Sequence, residues 1–181
     1  MAKFNMQPRE RHFDAVLKIM GYFKQFYKRR LIFDTFYQDH SHVNWETHDW
    51  NELYFDAEKE LLYDMPVGKG KLVKMTVYVD ANHAHDLVTK RSVTEIIIFL
   101  NNIPVKWISK RQKTVETFTY RSKLVATKIT VETIIGMRYQ LKMLSVNIDG
   151  LADMFGDNKS VVLNTTILSS VLKKKKYSLY Y

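Results

Sequence analysis

Val73-Lys74-Met75-Thr76-Val77-Tyr78-Val79-Asp80 alternates apolar with polar side chains along its whole length. A period of two puts Val73, Met75, Val77 and Val79 on one face and Lys74, Thr76, Tyr78 and Asp80 on the other, which predicts a half-buried strand ending in an acid. Downstream, residues 94–100 form a run dominated by β-branched and aromatic residues, as expected of a central strand buried on both faces. Asn101-Asn102 follows, and asparagine tolerates the positive φ of a tight turn. Val105, Trp107 and Ser109 alternate on the return, so the three segments predict an antiparallel meander. Residues 114–144 change to a helical repeat, with Leu124, Val131, Ile134, Ile135, Leu141 and Leu144 on one stripe. Gly136 weakens a helix there by about 1 kcal/mol relative to alanine, which leaves one helix or two successive ones open. Asp149-Gly150 is a turn signal, residues 152–156 a short strand, and residues 158–164 the start of another helix. This order predicts an α/β fold, in the sense of an α+β mixed sheet, although order alone fits several such folds.

Upstream of this region, residues 8–30 predict a helix of about six turns at 3.6 residues each, with Phe13, Val16, Leu17, Met20, Phe23 and Phe26 at three- and four-residue spacing. Lys24, Lys28, Arg29 and Arg30 gather at its end, where cations favour the helix dipole. Leu31, Ile32 and Phe33 suggest a short strand. Residues 34–65 lack a clear period and predict irregular structure with one short helix over 50–61. His40, His42 and His48 lie near Asp39 and Asp49, but no pair has helical i, i+4 spacing, so surface histidines are preferred over a zinc site. Pro66-Val67-Gly68-Lys69-Gly70 is the best linker candidate. The expected division is therefore a connecting segment with an N-terminal helix at 1–72 and a main domain at 73–181.

The 181 residues are 46% hydrophobic and 26% charged, the balance of a folded globular chain. The absence of cysteine excludes disulfides and thiolate metal sites. No secretory signal is visible, and the longest apolar run falls far short of the roughly 20 residues that span a bilayer. The expectation is a soluble protein with no membrane partner, located inside the cell in cytoplasm or nucleus. The net charge of +9 is uneven: residues 1–75 hold 12 Lys+Arg against 11 Asp+Glu, whereas residues 76–181 hold 16 against 8. A basic excess confined to one region suggests a polyanionic partner, nucleic acid being the commonest.

Four strings within 78–158 carry a family resemblance. Tyr78-Val79-Asp80-Ala81-Asn82-His83-Ala84, Arg91-Ser92-Val93-Thr94, Trp107-Ile108-Ser109-Lys110-Arg111-Gln112-Lys113-Thr114-Val115-Glu116-Thr117 and Met154-Phe155-Gly156-Asp157-Asn158 occur in this order. Together they resemble the ribonuclease H domain of copia-type retrotransposon polyproteins. Residues 16–22, 31–34, 49–54 and 64–66 resemble the segment that connects the family's reverse transcriptase to that domain. Nearly all of the chain is covered, but none of the polymerase's catalytic strings is present. The resemblance implies a ribonuclease H-like fold with an N-terminal helical extension.

The family cuts the RNA strand of RNA/DNA hybrids with two magnesium ions held by four carboxylates. Ions about 4 Å apart repel, and anionic oxygens must hold them together. By resemblance, Asp80 matches the first ligand and Asp157 the third, and both are candidate metal ligands. Without the strings, Asp157 would read as a turn or helix-cap acid. Lys123 stands where the family carries its catalytic Glu, which reverses a charge at the site. Glu116 and Glu132 do not match that position. The fourth ligand belongs to a segment beyond the last residue given, so the expected domain is incomplete at its C-terminus, with an edge open to self-association. Glu95 and His85 stand where glycines are usual, and Leu151 and Leu168 replace prolines. The implied reading is a ribonuclease H-like domain without catalysis, with weak or no magnesium binding. A second reading is a nucleic-acid-binding module in which Arg91, Lys110, Arg111, Gln112, Lys113, Asn158 and the lysine run 173–176 meet the ligand. A third is a structural remnant without enzymatic role.

Overall fold

A computed structural model describes residues 10–29, 33–44, 65–86 and 88–166. The chain divides into two compact units, residues 1–32 and 33–181. In the first, helix α1 (Glu10–Gln25) buries none of its side chains. Phe13, Leu17, Met20 and Phe23 are all more than half exposed. Arg29 donates to the Tyr22 hydroxyl at 3.0 Å and lies 4.2 Å from the Phe26 ring centroid, so this basic end packs on its own aromatics. Leu31, Ile32, the short helix expected over 50–61 and the lysine run 173–176 lie outside the described residues.

The second unit is a mixed α/β structure with strands β1 (Lys69–Val73), β2 (Met75–Asn82), β3 (Val93–Leu100), β4 (Ile103–Arg111), β5 (Val146–Ile148) and β6 (Asp153–Gly156), and helices α2 (Thr119–Met143) and α3 (Lys159–Thr166). The main sheet has the order β4-β3-β2-β6. β2, β3 and β4 are antiparallel neighbours, and β6 runs parallel to β2. The meander's tight turn forms as expected, with Asn101 at φ 54°. Its side-chain oxygen accepts from Lys74 N–H at 2.9 Å and its amide donates to the Thr35 carbonyl at 2.8 Å. The alternating stretch is broken, however, at Lys74. Val73 ends a separate short strand that pairs in parallel with β5, so the linker candidate leads directly into a strand.

Met75, Val77, Val79, Ala81, Ile96 and Ile98 form the core on one sheet face, with Ala126 of α2 packed on them. The opposite face departs from the expectation for a strand buried on both sides. Glu95 is exposed, and Ile97 and Phe99 are only partly covered. Glu95 therefore reaches water and avoids the penalty of a buried carboxylate. On β4, Trp107 is 70% exposed, whereas Ile108 packs toward the core. Part of this second face is covered by residues 33–44. Thr76, assigned to the polar face, is buried beneath them, with its hydroxyl 3.5 Å from His40 Nε2. The His40 ring also contacts Phe155, which stacks on Tyr78.

α2 is one helix through Gly136, and residues 114–118 are not helical. Its inward face follows the expected apolar stripe only in part: Ile134 and Leu141 pack against the core. Ser122, Ala126, Thr127 and Thr130 are buried, while Val131, Ile135 and Leu144 are exposed. Small side chains let the helix approach the sheet closely. The hydroxyls of Thr127 and Thr130 are satisfied by the carbonyls of Lys123 and Ala126, four residues back. Gln112 joins α2 to the sheet. It is 2% exposed, and its amide donates to the Ser122 carbonyl at 2.7 Å and to Thr94 Oγ1 at 3.0 Å.

Candidate functional site: two carboxylates bridged by a lysine

β2 carries Asp80 near its C-terminal end, and the neighbouring parallel strand β6 ends at Gly156, opposite Val79. The chain bends away at Asp157, so two acids come from adjacent strand ends. Lys123, one turn into α2, reaches both. Its Nζ donates to Asp80 Oδ1 at 3.0 Å and to Asp157 Oδ1. Asp80 Oδ1 also accepts from the Ala81 N–H at 2.6 Å. The lysine side chain is 14% exposed, whereas the carboxylates are 53% and 64% exposed, so the ammonium lies inward and the acids face the solvent.

Charge balance fixes the protonation states. Burial pushes the Asp80 carboxyl up, but the hydrogen bonds from Lys123 and Ala81 and the nearby positive charge hold it below the ordinary aspartate value. Burial pushes Lys123 down, and the bonds to Asp157 and Asp80 more than reverse this, raising it above the ordinary lysine value. Asp80 is thus held ionised and Lys123 protonated, with Asp157 hydrogen-bonded to the same ammonium. A protonated lysine is neither nucleophile nor base, and an ionised Asp80 is no general acid. Nor does the donor set fit a pair of divalent ions, because the ammonium already holds an oxygen of each carboxylate and adds positive charge between them.

Of the remaining sequence candidates, Lys110, Arg111, Gln112 and Lys113 border one groove beside α2, Asn158 borders the carboxylate crevice, and Arg91 borders neither. Arg111 is paired through Nη1 with Asp86 Oδ2 at 2.6 Å, holding the Asp86 carboxyl well below the usual range. The other Asp86 oxygen accepts from Val88 and Thr89 N–H, so this pair organises a loop. Gln112 is enclosed between sheet and helix and offers no amide to a ligand. Asn158 is the α3 cap: its Oδ1 accepts from Val161 N–H at 3.0 Å, a capping role that the sequence also allowed for Asp157. Lys110 and Lys113 are exposed, and Arg91 is half-buried. The sequence reading missed Arg121 and Lys128, which share a groove with Lys110 and Lys113. Their seven-residue spacing on one helix flank was the available signal.

Among the described residues there is no group of three or more His, Asp or Glu able to hold a metal. His40 and His42 have ring centroids 6.4 Å apart, and His48 and Asp49 lie outside the described residues. No described helix is long and apolar enough to cross a membrane. No family model, no curated protein and no solved structure matches this chain. The fold and site define a mixed α/β protein with a lysine-bridged pair of carboxylates at the ends of two parallel strands.

Proposed function

We propose that this chain is a copia-type retrotransposon-derived ribonuclease H-like domain that does not cut RNA. The observation that carries the reading is the Lys123 ammonium, hydrogen-bonded to both Asp80 and Asp157. Support for the fold kinship comes from the sheet order β4-β3-β2-β6, with a meander, a long helix and then a parallel strand. Support also comes from the two string-matched acids meeting at adjacent strand ends, with the Glu-replacing lysine between them. Two-metal hydrolysis requires several anionic oxygens free to bind cations, and a lysine at that point competes with them electrostatically. Incubation of the full chain with a labelled RNA/DNA hybrid and magnesium, beside Asp80→Asn, tests the reading. The expected result is no cleavage above background in either protein; cleavage abolished by Asp80→Asn overturns it.

A second reading, a nucleic-acid-binding module, is favoured by the exposed Lys110 and Lys113 in the basic part of the chain. It is compatible with the first, since loss of catalysis leaves binding untouched.

A further inference from the structure

Lys123 and Thr127 border the carboxylate crevice from one flank of α2. The other flank forms a groove with the end of β4 and the residues that follow it. Arg121 and Lys128 line the helix wall, and Lys110 and Lys113 line the opposite wall. Arg121 and Lys128 are two helical turns apart, about 10 Å at 1.5 Å per residue. Ile108 and Val125 supply apolar lining between the charged walls. Glu116 and Glu132 also border the groove, and with Arg111 set aside as the partner of Asp86 and Arg121 as itself engaged, Lys110, Lys113 and Lys128 still outnumber these acids. Glu116 is engaged locally, accepting from the Thr114 hydroxyl at 2.8 Å.

We propose that this groove binds the sugar–phosphate backbone of a single-stranded nucleic acid, with little sequence preference. Cations on both walls match a repeating anion, and apolar lining between them suits sugars and base faces, the combination that single-strand grooves use. This inference rests on the binding reading above and is independent of whether the carboxylate site cuts.

Fluorescence anisotropy of the full chain with a labelled oligothymidylate, across a salt titration, tests it. The wild type is expected to bind with an affinity that falls steeply with salt. Lys113→Gln/Lys128→Gln should weaken binding roughly tenfold or more at low salt and reduce the log–log salt slope by roughly 0.7 for each lysine removed. Lys71→Gln/Lys90→Gln, which neutralises exposed lysines outside the groove, should bind like the wild type. Circular dichroism of each variant controls for folding. Equal losses in both double variants, no oligothymidylate binding at low salt, or binding of heparin without the oligonucleotide would each overturn the groove proposal. Cleavage of a hybrid would overturn only the inactive-site reading.

Discussion

At Lys123 three charged groups form a unit whose sign is set by the middle one. Removing the ammonium leaves two carboxylates facing each other across adjacent strand ends, so Lys123→Met should destabilise the fold. The acids are more than half exposed, which screens them, and a loss of about 1–2 kcal/mol is expected, between a surface pair and a buried one. The pH dependence follows from the shifts. Asp80 is lowered, so its contribution is present above the ordinary aspartate value of 3.8 and is lost as pH falls through the lower folded value. Lys123 is raised, so its contribution is present below 10.5 and is lost as pH rises through the higher folded value. Urea midpoints of wild type and Lys123→Met should therefore differ most between these limits and converge in strong acid. A constant difference down to the lowest pH would show that packing of the lysine stem, not its charge, is responsible. The position of this lysine was legible only through the family strings; nothing in periodicity or composition brings residues 80, 123 and 157 together.

At the level of elements, α2 shows why an apolar stripe is an incomplete guide. Val131 and Ile135 are exposed because the helix approaches the sheet through Ser122, Ala126 and Thr130; the hydroxyls of Ser122 and Thr130 bond within the helix, although both residues look polar in sequence. The strand signals were more reliable. Alternation marked β2 through to Asp80, and paired asparagines marked the turn, because both features act locally. The β1–β5 pairing was not legible, since β5 has three residues and its partner is more than seventy positions away. Gln112, read as a ligand contact, instead makes the latch between sheet and helix. Gln112→Ala removes two hydrogen bonds and leaves the Ser122 carbonyl and Thr94 hydroxyl short of a donor, in a fully enclosed position. A loss of about 2–3 kcal/mol is expected from denaturant unfolding. An unchanged midpoint would mean that α2 is held by apolar packing alone.

Across the second unit, the sheet separates two environments. One face is closed by α2, and the other is partly closed by residues 33–44, where the Tyr78 hydroxyl donates to Gln38 and Thr76 lies beside His40, while the Tyr37 hydroxyl donates to the Leu72 carbonyl of β1. These contacts come from a stretch whose sequence shows no period, because its residues are chosen for particular partners rather than for a repeating face. The same architecture puts the carboxylate cluster and the basic groove on opposite flanks of α2, so a change at one need not disturb the other. That separation makes the state of the cluster the central question. Electron paramagnetic resonance of Mn2+, a spectroscopic substitute for magnesium, answers it most directly when titrated into wild type, Asp80→Asn and Lys123→Glu. No Asp80-dependent bound ion is expected in the wild type, and a gained ion is expected in Lys123→Glu, where three carboxylates replace the bridged pair. Two manganese ions bound by the wild type and lost in Asp80→Asn would contradict it.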